Sequence, residues 1–175
     1  PSKLSNFFIR RFKRLGPVLY LSVIVFSFIY YLVVNPYSSE ASISFLTGIT
    51  SLFGFSNIYL FFTNQDYFSI LASHNLFLHT WSLGIEEQFY LFFPFLFFIV
   101  KNKRMLGFIV LALVFASYSF QIYHLNLPEG YNAAFYLPLS RIWQLLLGVL
   151  AGLFLNFFNN TLKVFSSQWL SLLTC

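Results

Sequence analysis

The chain has 175 residues, of which 58% are hydrophobic, 23% are aromatic and 9% are charged. A soluble domain carries roughly a quarter charged residues, so this composition excludes an ordinary soluble protein and indicates an integral membrane protein. The net charge of +5 does not indicate nucleic-acid binding, because half of the ten basic residues lie in one segment before the first apolar stretch. The single cysteine, Cys175, excludes an internal disulfide.

Five apolar stretches follow one another along the chain. A transmembrane helix needs about 20 mostly apolar residues, and these stretches are residues 17–34, 42–63, 79–100, 105–123 and 133–155. The last apolar run, VFSSQWLSLLTC, is expected to begin a further span. The sequence therefore predicts an all-α, polytopic transmembrane helix bundle that is a fragment of something longer.

The basic residues of the loops favour one of two topologies. If all five stretches cross, five loop cations lie inside and four outside, which gives no orientation bias. If residues 42–63 instead re-enter or lie against the bundle from the outside, all nine lie inside. We prefer the second topology. Its cations are Lys3, Arg10, Arg11, Lys13, Arg14, Lys101, Lys103, Arg104 and Lys163.

The first segment with chemical character is NFFIRRFKRLGP, which carries four cations within five residues. Such a cluster is often an orientation signal or an anchor for anionic lipid. It is equally suited to phosphate, because arginine forks bind phosphate oxygens in pairs. On that second interpretation Arg10, Arg11 and Arg14 would meet a phosphorylated donor arriving from the cytoplasm.

The second segment is HTWSLGIEEQFY, which begins one of the apolar stretches. On a helix, Ser82, Glu86 and Tyr90 share a face, with His79 one turn earlier and Glu87 about 100° away. A carboxylate within a span is costly unless it is paired or protonated, so it is a candidate functional residue. The alternative is a structural ion pair that locks two helices together.

The third segment is FYLPLSRIWQLLLGVLAG, in which Arg141 lies eight residues past Ala133. The spans at residues 79–100 and 133–155 are separated by one intervening span, so they run in the same direction through the membrane. Glu86 and Arg141 are therefore expected at similar depths. We predict that Arg141 pairs with Glu86 or Glu87 and lines a polar cavity, because an unpaired buried charge is far costlier than a paired one. No histidine pair has a convincing metal-ligand spacing, so no metal is predicted.

Together these segments resemble the membrane acyltransferase type 3 family, which O-acylates bacterial surface and secreted carbohydrates. The resemblance rests on FFIRRFKRLGP, SNIYLFF, DYF, LHTWSLGIEEQFYLFFP and SRIWQLLLG, in that order. It implies about ten transmembrane helices in the bacterial inner membrane. It also implies acetyl-CoA or another acyl-CoA as the cytoplasmic donor, and a carbohydrate acceptor.

The resemblance also implies roles for individual residues. Arg11 and Arg14, with Arg10 beside them, would contact the phosphates of coenzyme A. The H-x-W-S-x-x-x-E and R-x-W-E patterns of the family supply the expected catalytic residues His79, Glu86 and Arg141. The expected substrate-binding residues are Trp81, Ser82, Glu87 and Tyr90.

Two departures from the family pattern affect the prediction. The family's first helices, with the histidine usually proposed as base, would precede Pro1, so residues 1–175 are expected to form a partial domain that is inactive alone. Gln144 stands where the family usually has a glutamate. The alternatives are a transporter or flippase, with Glu86 and Arg141 along its path, and a purely structural membrane subunit.

Overall fold

The computed structural model describes the backbone of residues 3–63, 74–127 and 130–173, and the side chains of residues 5–63, 74–127 and 130–155. The described residues form seven helices and confirm the all-α prediction. These are α1 (Lys3–Val33), α2 (Ser39–Leu52), α3 (Ser56–Phe62), α4 (Thr80–Ile99), α5 (Lys103–Leu125), α6 (Tyr131–Tyr136) and α7 (Pro138–Leu173).

Four segments are long and apolar enough to cross a membrane. They are Ser5–Val33, Thr80–Ile99, Lys103–Leu125 and Tyr131–Leu155. Large apolar side chains on their outer surfaces are exposed, for example Val18, Phe92, Phe108 and Phe154. Exposed apolar surface of this extent requires lipid as the solvent. The chain is therefore an integral membrane protein.

Residues 42–63 do not form a single spanning helix. They divide between α2, of 14 residues, and α3, of 7 residues. The turn between these helices contains Gly54, whose φ of 72° lies in the left-handed region that residues with a Cβ rarely adopt. Because neither helix reaches the 20 or so residues that a span requires, the structure favours the re-entrant topology.

The direction of the helices supports the same topology. Near the start of α1, Phe7 and Arg11 contact Tyr90. Further along α1, Val23 lies beside Gly48 and hence near Phe77, which is three residues before the start of α4. Later residues of α1 therefore lie beside earlier residues of the α4 segment, so α1 and α4 are antiparallel. The basic start of α1 and the basic residues after α4 therefore lie at the same end of the bundle, which we identify as the cytoplasmic end. The side chains of Lys3 and Lys163 are outside the described residues.

The first helix begins much earlier than the span predicted at residue 17. It extends through the basic segment, so Pro17 lies in the helix interior. Proline there removes one backbone hydrogen bond, which neighbouring groups can compensate in a membrane helix. The consequence is that the arginine cluster forms a helical surface continuous with the span.

The core lies between α4, α5 and α7. Its buried members are Phe89, Val100, Leu106, Val110, Val114 and Leu146. Polar pairs join α5 and α7 at their outer ends: Ser117 Oγ donates to the Leu139 carbonyl at 2.6 Å, and Trp143 Nε1 donates to Gln121 Oε1 at 2.8 Å. Hydrogen bonds of this kind hold transmembrane helices together where the hydrophobic effect cannot.

The last predicted span differs from the observed one at both ends. Leu137 is extended (ψ 134°) because the following residue, Pro138, disfavours a helical conformation before it. The short helix α6 is therefore separate from α7. At the other end, α7 continues to Leu173, so the tail prolongs this helix and does not begin a new span.

Candidate functional site

A half-open cavity of about 400 Å³ lies between α1, the α2–α3 turn and α4. Most of its wall is apolar. The charged and amide side chains that reach it are Arg11, Glu87 and Gln88, and two tyrosines, Tyr20 and Tyr90, also line it. The cavity thus brings together the arginine segment and the carboxylate segment that the sequence analysis had singled out separately.

Arg11 is the predicted phosphate-binding residue that turns into the cavity. Its guanidinium lies over the Tyr90 ring and near the Phe7 ring. Stacking of this kind leaves the N–H groups at the edge of the guanidinium available as donors. Arg10 and Arg14 are exposed on the same helix. The three cations therefore form a basic surface at one end of the bundle, with Arg11 at the mouth of the cavity.

Glu87 is the carboxylate that lines the cavity, against the turn at Gly54. A Cβ placed on Gly54 would lie 2.5 Å from Glu87 Oε2, so the carboxylate occupies the space that a side chain would need. Glu87 also precedes Tyr90 by three residues, which places both on one face of α4. Glu86, the adjacent residue, is partly buried but does not line the cavity.

A buried amide network fixes the turn that forms this wall. Asn57 is fully buried, and its Nδ2 donates to the Tyr136 carbonyl at 3.0 Å. Gln88 Nε2 donates to Asn57 Oδ1 at 2.9 Å and to the Gly54 carbonyl at 2.8 Å. Gly84 permits this approach, because a Cβ there would lie 2.7 Å from Asn57 Oδ1. One network thus links α3, α4 and α6.

Arg141 lies in an aromatic cluster at the outer end of the bundle. Its guanidinium carbon is 4.4 Å from the centre of the Phe135 ring and 5.4 Å from that of the Trp81 ring. Its Nε is buried and has no hydrogen-bond partner among the described residues. The predicted pairing with Glu86 or Glu87 is wrong for the described part of the chain, where aromatic rings surround this cation.

The reason for this difference is the depth of Arg141. The prediction counted eight residues from Ala133, but the break before Pro138 places Arg141 in the first turn of α7. It therefore lies level with Trp81, the second residue of α4. Glu86 is five residues, or about 7.5 Å, further along α4. The two helices are parallel, as predicted, but the two charged residues are not at the same depth.

The other predicted residues lie near the start of α4. His79 occupies the N-cap position and is exposed, without a side-chain capping bond. Ser82 is also exposed, and its hydroxyl donates to the His79 carbonyl at 3.3 Å. Trp81 packs edge-on against Phe135 and Tyr136. The DYF segment (66–68) lies outside the described residues.

Sequence reasoning missed Gly54, Asn57, Gly84 and Gln88 as determinants of the site. Asn57 and Gln88 lie in the segments SNIYLFF and EEQFY, but only the two carboxylates of the second segment were predicted as site residues. A usable signal was present, since an asparagine and a glutamine within apolar segments must find hydrogen-bond partners.

Comparison with known proteins identifies several relatives. The chain is 33% identical over 174 residues to an uncharacterized protein of Haemophilus influenzae, covering 89% of this chain and 65% of that protein. It is 37% identical over 117 residues to the peptidoglycan O-acetyltransferase OatA of Listeria monocytogenes, covering 63% of this chain and 18% of that protein.

A third relative is a putative O-acetyltransferase of Staphylococcus aureus, 29% identical over 152 residues, with 85% of this chain and 24% of that protein covered. The chain thus spans about two thirds of the Haemophilus protein and a quarter or less of the other two. No solved structure matches this chain. A family model described as an acyltransferase domain matches residues 1–174. Because this match covers nearly all of the sequence, the chain belongs to that acyltransferase family, as the resemblance of its motifs implied.

Proposed function

We propose that the protein is an O-acetyltransferase of the bacterial inner membrane. It transfers the acyl group of acetyl-CoA, or of another acyl-CoA, to a hydroxyl of a cell-surface carbohydrate. The observation that carries this proposal is the cavity that opens beside the arginines and reaches Glu87 inside the bundle. Membership of the acyltransferase family and the relatives named as O-acetyltransferases support it.

In the proposed reaction the thioester C–S bond breaks and an ester C–O bond forms, while the hydroxyl proton ends on the thiol of coenzyme A. A sugar hydroxyl needs a base to act as nucleophile. We propose that Glu86, which is adjacent to Glu87 but does not itself line the cavity, orients the base or the hydroxyl. His79, seven residues earlier and about 10 Å further out along the helix, would act on the acceptor at the outer entrance. Arg141 would stabilise the developing oxyanion, as its buried Nε has no hydrogen-bond partner among the described residues.

The positions of these groups support entry of the two substrates from opposite sides. Arg11 lies at the cytoplasmic end of the bundle, while Trp81 and Arg141 lie towards the outer end. The donor would bind from inside and the carbohydrate from outside. In this arrangement Glu87 and Tyr90 contact the donor, and Trp81 and Ser82 contact the carbohydrate.

Replacing Arg11 with alanine is expected to raise the KM for acetyl-CoA at least about 10-fold, because a charge-assisted hydrogen bond contributes roughly 1.5–3 kcal/mol. The measurement is acyl transfer in membrane vesicles from the producing bacterium, with acetyl-CoA varied. Arg104→Ala is the matched control, since Arg104 is exposed at the same end of the bundle. An equal change in both variants would indicate a general loss of surface charge and contradict a specific site at Arg11.

Glu86→Gln, introduced into the chromosomal gene, is expected to remove ester-linked acetate from the surface glycans. The change keeps the size of the side chain and removes its charge, so the protein should accumulate normally. Glu40→Gln, at an exposed position in the first turn of α2, is the control. Unchanged acetate in the Glu86→Gln strain would exclude a role for this carboxylate, and unchanged acetate in a deletion strain would favour transport.

A further inference from the structure

The two ends of the cavity differ in chemistry. The cavity follows α1 from Phe8 to Tyr20, a rise of about 18 Å along the helix. Near the cytoplasmic end it is lined by Arg11 and Tyr90, and at the other end by Leu19, Leu52 and the largely apolar side chain of Tyr20. A ligand that fills it is therefore long and narrow, anionic at one end and apolar at the other.

The middle of the cavity sets a further condition on the ligand. Glu87 presents a carboxylate, which when ionised can only accept hydrogen bonds. The neighbouring Gln88 amide N–H groups already bond to Gly54 and Asn57. A ligand with an N–H or O–H group at this level can therefore donate a hydrogen bond to Glu87. The volume of about 400 Å³ suits a small organic ligand.

A phosphorylated donor with an amide-containing arm meets all three conditions. We propose that the cavity receives the acyl-pantetheine arm of the donor, with its phosphates at Arg11 and an amide N–H at Glu87, and that Leu19 and Leu52 limit its acyl group to a short chain. This inference rests on the function proposed above and adds to it the residues that select the acyl group. A lipid tail, the alternative occupant, offers no donor to Glu87.

The size of the acyl pocket can be changed from α1. Leu19→Ala removes three carbon atoms from the apolar end, whereas Leu19→Phe fills it further. Leu52→Ala enlarges the same end from α2 and provides an independent second variant. The matched control is Leu21→Ala, because Leu21 lies two residues away on α1, is 64% exposed and does not line the cavity.

The test compares acetyl-, propionyl- and butyryl-CoA in membrane vesicles that contain the protein and its natural acceptor. The measured quantities are the release of free coenzyme A thiol and the incorporation of labelled acyl groups into glycan. A hydrophobic pocket discriminates a single methylene by roughly 10-fold or more. We therefore expect Leu19→Ala and Leu52→Ala each to raise the butyryl-to-acetyl rate ratio about 10-fold, Leu19→Phe to lower the propionyl-to-acetyl ratio, and Leu21→Ala to leave both ratios unchanged.

Two negative results are distinguishable. If the variants transfer acetate but both alanine substitutions keep the wild-type rate ratio, the arm does not end at Leu19 and Leu52, and a lipid tail is the better occupant. That result would overturn this inference and leave the proposed function standing. If none of the thioesters yields labelled glycan with the wild-type protein, the proposed function falls and this inference falls with it.

Discussion

Replacing Gly54 with alanine is expected to destabilise the protein by about 1–2 kcal/mol and to lower the yield of folded protein from the membrane. The residue has a φ of 72°, a conformation that costs a residue with a Cβ roughly 1–2 kcal/mol. The added Cβ would also lie 2.5 Å from Glu87 Oε2, so the end of this flexible side chain would have to move aside. Because the Gly54 carbonyl accepts a bond from Gln88, the turn cannot shift without breaking the amide network. The measurement is the amount of monodisperse protein extracted in mild detergent.

The control for this prediction is alanine at Gly148 or Gly152. Both glycines lie in α7, and apart from the backbone of that helix and the adjacent residues no described atom lies within 4 Å of an added Cβ. Alanine there should therefore be tolerated or slightly stabilising. The double variant Gly54→Ala with Glu87→Ala separates the two causes, since it relieves the clash but not the backbone strain. Normal yield of the single Gly54→Ala variant would show that the turn does not have the described conformation.

Replacing Asn57 with alanine is expected to lower the free energy of unfolding by about 2 kcal/mol. The change removes the donor to the buried Tyr136 carbonyl and the acceptor of a Gln88 bond, and a buried group left unsatisfied costs roughly 1–3 kcal/mol. The measurement is the thermal unfolding midpoint in detergent, which should fall by several degrees.

Asn126→Ala is the matched control for the Asn57 variant. Asn126 is exposed at the end of α5, where its Nδ2 donates to the Ile122 carbonyl at 3.0 Å. Loss of an exposed bond of this kind usually changes stability by no more than about 0.5 kcal/mol. A drop in the unfolding midpoint no larger than that of the control would mean that another donor, from the protein or from water, satisfies the Tyr136 carbonyl equally well.

Much of the fold could be predicted from hydropathy and charge. The four spanning segments and the antiparallel course of α1 and α4 follow from apolar length and from the basic loops, because lipid imposes strict conditions on both. The distribution of cations also indicated that residues 42–63 re-enter the bundle. Hydropathy alone could not show this, since the stretch is long enough to cross, and its division at Gly54 is visible only in the backbone conformation.

Positions within the site were harder to predict than the helices. Arg11 and Glu87 lie in one cavity, although the sequence analysis paired the carboxylates with Arg141 instead. That error came from one boundary: the break at Leu137 and Pro138 shifts Arg141 towards the outer end by about a turn and a half. The ends of helices are the least predictable feature of a sequence. The depth of a residue in the membrane is counted from the start of its helix, so an error at that end shifts the predicted depth.

Two walls of the cavity are held in place by different kinds of contact. Its wall at the α2–α3 turn and α4 is fastened by the amides of Asn57 and Gln88 to backbone carbonyls. The opposite wall, α1, meets α2 and α4 through the rings of Phe7, Tyr30 and Tyr90, the guanidinium of Arg11 and aliphatic groups. Such contacts slide at little cost, whereas buried hydrogen bonds must break. A change in the width of the cavity is therefore expected to come from α1, while the frame that positions Glu87 keeps its shape.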